Sequence, residues 1–130
     1  MTGIIEALQR KSFLCTRHGA DEKAISQAED ILGVHFAEDY REYLKTFGVA
    51  TYQGHELTGI SDVVRLSVVE TTLQNRACHA EEYQGWYVIE NAEIDEVSIW
   101  QSPEGKVYQS SMNMQPRFIC STFSEYITRY

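Results

Sequence analysis

The sequence is poor in proline, in cysteine and in long apolar runs. Only two prolines occur, Pro103 and Pro116, and both lie late. No Pro-rich or Gly/Ser-rich linker divides the 130 residues, and no repeat or low-complexity tract is visible. A single domain over residues 1–130 is the expectation. The three cysteines, Cys15, Cys78 and Cys120, are an odd number at wide spacing. A small secreted scaffold carries a dense, even set, so this pattern suits a reducing compartment. No stretch approaches the ~20 apolar residues that cross a bilayer. The N-terminus lacks the cationic, apolar and small-residue order of a signal peptide, because Glu6 interrupts the first apolar stretch. A cytoplasmic protein with no membrane association is expected.

Basic residues are scarce as well. The formal net charge is −8. A general nucleic-acid or anionic-membrane binder needs a cationic face, so direct nucleic-acid binding is not expected. The shortage is sharpest between Arg76 and Lys106, where no Lys or Arg occurs. That interval holds Glu81, Glu82, Glu90, Glu93, Asp95, Glu96 and Glu104.

Chemistry-bearing patterns are thin. Gly54 and Gly59 fit neither phosphate-loop spacing. Cys15-x-x-His18 supplies two potential ligands, whereas structural zinc takes four, commonly as two close pairs. Cys78 and His79 are adjacent, and neighbours on a helix point about 100° apart. Cys120 sits in the apolar run Phe118-Ile119-Cys120, which suits a buried inert thiol better than a nucleophile. Glu93-x-Asp95-Glu96 lacks the spacing and the glycine of a calcium loop. No catalytic residue, metal or cofactor is expected.

What is present is enough for a core. Hydrophobic residues make up 43% and aromatic residues 12% of the chain. At this length folding buries roughly 68% of the unfolded surface. Helical signals fill the first third. Thr2–Lys11 carries Ile4, Ile5 and Leu8 on one side. Asp21 is placed to cap a helix with Ile25, Ala28 and Leu32 on one face, and Gly33 to end it. Residues 37–47 repeat the pattern with Tyr40, Tyr43, Leu44 and Phe47, all assigned to the core, and Gly48 follows. Val34-His35-Phe36 is a link short enough to pack the two helices on each other.

After Gly48 the texture changes. Val49–Tyr52 and His55–Ile60 read as short strands around Gly54. Ser67 and Glu70 form a capping-box pattern that opens a helix over about 68–78, with a strand over the β-branched residues Val63–Val69 as the rival reading. Trp86–Glu90, Glu96–Gln101 and Lys106–Ser110 read as strands, the last two joined by the turn Ser102-Pro103-Glu104-Gly105. Thr122 and Glu125 cap a last helix with Phe123, Tyr126, Ile127 and Tyr130 at helical spacing. The fold class expected is α+β: an antiparallel sheet against N-terminal helices and a closing C-terminal helix.

The stretch from Ile25 to Gly48 contains Ala28-Glu29 and Leu32-Gly33, then Phe36-Ala37-Glu38-Asp39-Tyr40 and a Gly after Phe47. It resembles the opening signature of the SUKH superfamily, which covers bacterial immunity proteins and yeast cell-wall-synthesis regulators. Trp86–Asn91, Val97–Trp100 and Gly105-Lys106-Val107-Tyr108 look like the family's sheet. Ser121–Tyr130 looks like its closing helix. Phe36-Ala37 stands where the family has Leu-Pro, and Phe47-Gly48-Val49 where it has Asn-Gly-Gly. The resemblance implies an immunity protein that binds and neutralises a cognate toxin domain, frequently a nuclease, and has no reaction of its own.

The acidic interval fits that implication, because a nuclease groove must be cationic to hold phosphates. Carboxylates steer association but supply little affinity, so aromatic anchors are needed beside them. The expected partner-binding residues are Glu81, Glu82, Glu90, Glu93, Asp95, Glu96 and Trp100. Trp100 is taken as the exposed anchor because Val97 and Ile99 have the opposite strand parity, with core packing as the competing reading. The alternative function is a regulatory interaction module without a toxin partner. A small carboxylate hydrolase is a third, and it would need the acids clustered in a deep pocket.

Overall fold

A computed structural model describes residues 3–77, 85–91, 97–111 and 115–129. Local signals set the helices. α1 spans Ile4–Gln9 and buries Ile4, Ala7 and Leu8. α2 spans Glu22–Leu32; Asp21 Oδ1 accepts from the Ala24 N–H at 2.8 Å, and Gly33 ends the helix in the left-handed region. α3 spans Glu38–Phe47, with Tyr40, Tyr43, Leu44 and Phe47 buried on one face. The link between α2 and α3 is pinned by Glu29, whose carboxylate accepts from Phe36 N (2.8 Å) and from Arg41 Nη1 (2.6 Å).

The strands form two antiparallel sheets. β1 (Cys15–Thr16), β2 (Ala50–Tyr52) and β3 (His55–Glu56) make a small one in that order. β4 (Tyr87–Asn91), β5 (Ser98–Gln101), β6 (Val107–Ser110) and β7 (Arg117–Cys120) make a meander. Between the sheets lie a short 3-10 turn at Val64–Leu66 and α4 at Val68–Ala77. Ser67 Oγ accepts from Glu70 N as the capping pattern predicts. α5 spans Phe123–Arg129 and closes the chain on α1 and α3. An α+β domain is what results.

The expected strand His55–Ile60 is shorter than its sequence suggests. After Glu56 the chain turns inward, and Leu57 and Gly59 make only isolated bridges, to Glu90 and to Ser67. The reason is Thr58, which is fully buried and satisfied on every side. Its N–H donates to Ile89 O (2.9 Å) and its hydroxyl to Val88 O (2.7 Å). Its Oγ1 is therefore left to accept from the Tyr40 hydroxyl (3.0 Å), and its carbonyl accepts from the Tyr43 hydroxyl (2.7 Å). One threonine thus ties α3 to β4, and buried polar groups are stable only when paired in this way.

Gly59 lies so close to the end of α3 that a Cβ on it would sit 1.9 Å from Gly48 O. Burial of Tyr40, Tyr43 and Tyr87 pushes all three hydroxyls well above the ordinary tyrosine range. Their rings, with Phe36 and Phe123, pack at centroid separations of 4.8–5.7 Å and form the middle of the core.

Candidate functional site

The clearest concentration of chemistry is a shallow cleft of about 470 Å³ where three helices begin. Gly3 and Ile4 of α1, Ala37 to Asp39 and Glu42 of α3, the turn Pro103–Gly105, and Thr122 and Ser124 at the start of α5 line it. Four acidic residues line it: Glu38, Asp39, Glu42 and Glu104. None of the described lining residues is basic.

A hydrogen-bond chain builds the cleft. α3 starts at Ala37, which has no side chain to cap it. The Tyr87 hydroxyl takes that role, accepting from Ala37 N (2.8 Å) and donating to Gln101 Oε1 (2.7 Å). Gln101 Nε2 donates to Asp39 Oδ1 (3.0 Å) and to Gly105 O (3.1 Å). Asp39 Oδ2 in turn accepts from Phe123 N at the first turn of α5 (2.8 Å). Asp39 is therefore held by both oxygens, while Glu38, Glu42 and Glu104 are exposed and free to meet a cation. Their placement in and beside helix first turns eases their mutual repulsion, since a helix N-terminus carries roughly half a positive charge.

The expected site residues fare differently. Glu81, Glu82, Glu93, Asp95 and Glu96 lie outside the described residues. Glu90 is not a surface acid: it is buried in β4, with Oε1 accepting from the Tyr126 hydroxyl (2.5 Å) and Oε2 against His55 Nδ1 (2.8 Å). Trp100 is not an exposed anchor either. It does lie on the face opposite Ile99, as parity requires, but that face is covered too. All four residues of β5 are buried, and Trp100 packs with Val88 and Trp86 while its Nε1 donates to Ser110 Oγ (2.8 Å). The inference failed because parity separates two faces without exposing either, and Val88 and Trp86 pack against the Trp100 ring.

Its cross-strand row, Val88, Trp100, Tyr108 and Phe118, is half-buried at Tyr108 and exposed at Phe118, on the edge strand β7. Phe118 is 52% exposed and meets Tyr108 edge-on, and Tyr108 stacks on Trp86 at 4.2 Å.

Cys120 lies in the core, and burial pushes its thiol up to about 11. Cys15 is exposed on β1. Among the described residues no three His, Cys, Asp or Glu side chains converge as a metal site requires. Among them, too, no helix is long and apolar enough to cross a membrane.

A family model described as SMI1-KNR4 cell-wall, SUKH_5, matches residues 1–130. The match covers the whole chain, and the protein belongs to that family. Comparison with curated proteins finds no match. Family membership supports a role in toxin immunity or in protein interaction of the SMI1-KNR4 kind.

Proposed function

We propose that the protein is an immunity protein that acts in the cytoplasm, binding a cognate toxin domain and occluding its active site. The partner is a basic domain, such as a nuclease whose groove is shaped to hold phosphates. The observation that carries this reading is the presence of Glu38, Asp39, Glu42 and Glu104 along one concave face whose described lining holds no base. These carboxylates come from two segments more than 60 residues apart in sequence, and only the fold brings them together.

Lysine or arginine side chains of the partner enter the cleft. Glu81, Glu82, Glu93, Asp95 and Glu96 are proposed as further partner-binding residues on their charge alone. An acidic face raises association rates with a basic partner from a neutral 10⁵–10⁶ M⁻¹s⁻¹ toward about 10⁸ M⁻¹s⁻¹ at low salt.

Co-expression with the toxin encoded beside it tests the reading. Cells should survive, and the two proteins should co-purify. Absence of both rescue and a complex with any neighbouring toxin domain would refute it. Within a complex, replacing Glu38, Glu42 and Glu104 by Lys should slow association at least about tenfold at low salt and flatten its salt dependence. Unchanged kinetics would remove the cleft from the interface and leave toxin binding to other surfaces.

A further inference from the structure

A second surface lies on the small sheet, and it shares no lining residue with the acidic cleft. Phe13 is 85% exposed, the most exposed of the large apolar side chains. It is also held in the left-handed region, with φ 61°. Gln53, just beyond β2, is likewise in the left-handed region, with φ 46°. Among the described residues these two are the only non-glycines at positive φ. A bulky side chain there is an outlier, and such outliers gather at binding sites.

Phe13 and Gln53 both line a shallow pocket of about 440 Å³ beside Tyr52, Gly54, His55 and Glu56. Its floor is rigid. The Tyr52 ring stacks on His55 at 4.9 Å, and His55 is anchored below to Glu90.

The segment that carries Phe13 is charged oppositely to the chain as a whole. Glu56 is paired with Arg65 at 3.1 Å and His55 with Glu90. No acid occurs between Glu6 and Asp21, while Arg10, Lys11 and Arg17 do. None of those three makes an ion pair with a described residue. Lys11 Nζ instead sits 5.3 Å from the Tyr52 ring centroid.

We infer that the Phe13 tip docks an acidic polypeptide segment of a partner protein, with an apolar or aromatic side chain of that segment seated on Phe13 beside Gln53 and Gly54. The flanking carboxylates of the segment meet Lys11, Arg10 and Arg17. An exposed aromatic ring in a preset conformation is the type of group that dominates binding energy. A polyphosphate is disfavoured, because three cations are well short of the roughly six to ten phosphate contacts of a typical nucleic-acid binder and the remaining chain is acidic.

Panning a displayed random dodecapeptide library on the purified protein tests this, with Phe13→Asn as counter-screen. Asparagine tolerates the left-handed backbone, so the turn survives. Enriched peptides should carry acidic residues around an aromatic or apolar one. The strongest, made synthetically, should bind at least about tenfold more weakly to Phe13→Asn and to Lys11→Glu/Arg17→Glu, with unchanged melting curves. Its amide shift changes should map to residues 10–17 and 51–56. The proposal is overturned if nothing enriches, if the enriched peptides are basic, or if they bind Phe13→Asn equally. It is also overturned if a DNA duplex or phosphatidylserine vesicles bind through these residues. Toxin rescue is a separate readout, so failure here leaves the immunity reading standing.

Discussion

Raising the pH should unfold the protein in one step, and the buried tyrosines determine where. Tyr40, Tyr43, Tyr52 and Tyr87 are all buried, and burial is the first cause raising each hydroxyl. Tyr52 is raised further by the Glu90 carboxylate. In the unfolded chain each titrates near 10. Above that pH the unfolded state has lost protons that the folded state keeps. Their stabilising effect is therefore complete below about pH 10 and declines as pH rises. Each tyrosine contributes a slope of about 1.4 kcal/mol per pH unit, and four give about 5.5. Cys120, raised from 9.0 to about 11, starts the same decline earlier. A domain stability of roughly 5–15 kcal/mol is then exhausted between about pH 11 and 12.5.

Tyrosinate absorbance near 295 nm and far-ultraviolet circular dichroism, followed in one titration, check this. About half of the tyrosinate signal, that of four of the eight tyrosines, should rise with the loss of helix. Ionisation of all eight with the helix signal intact would refute the desolvation argument. Tyr52→Phe gives an internal control. Its hydroxyl is buried with no hydrogen-bond partner among the described residues. The substitution should be neutral or stabilising by about 1 kcal/mol at neutral pH, and should lower the alkaline slope by about a quarter.

Thr58→Val keeps the shape but leaves Val88 O and the Tyr40 hydroxyl unpaired, so urea unfolding should show a loss of about 2–4 kcal/mol. Gly59→Ala forces a methyl into Gly48 O and should cost more than about 3 kcal/mol. Gly33→Ala meets no atom within 4 Å and should cost only about 1 kcal/mol for its left-handed backbone. Glu90→Gln weakens the tie between β4, His55 and Tyr126, so hydrogen exchange at residues 51–56 should quicken. Glu38→Gln should cost stability by about 0.3–1 kcal/mol as well as slowing partner association, because Glu38 faces the start of α3. Glu104→Gln, in a turn, should slow association alone, and equal stability losses in the two would contradict the dipole argument.

The helices were legible because their signals are local. Asp21 caps, Gly33 stops, and Ile25, Ala28 and Leu32 share a face whatever the rest of the chain does. The Ser67 and Thr122 caps were readable for the same reason. The two-residue β1 had no such signal, since Cys15 and Thr16 become a strand only by pairing with Thr51 and Ala50. β7 hid in the run Phe118-Ile119-Cys120, where a bulge beside Tyr108 turns Phe118 outward and Cys120 inward. Trp100 shows the limit of parity, which separates two faces without saying whether either meets water. The cleft was out of reach, because Glu38, Asp39 and Glu42 read as one helix turn and Glu104 as part of a distant loop.

The same geometry links stability to recognition. The carboxylates of the cleft are not loose charges added to a finished fold. Asp39 holds α5 to α3 through Phe123 N and holds Gln101 across the sheet, so it cannot leave its position to follow a ligand. Glu38 and Glu42 stand one helical turn apart on a helix fixed by three buried tyrosine hydroxyls, two of its own and that of Tyr87. A partner cation entering the cleft therefore finds acceptors whose backbone is already set. Little ordering entropy remains to be lost, which is how a rigid surface turns modest Coulomb attraction into affinity. The helix N-termini beneath act against this by stabilising the free carboxylates. The net result is a surface suited to fast, salt-sensitive capture, with tight binding left to apolar contacts around it.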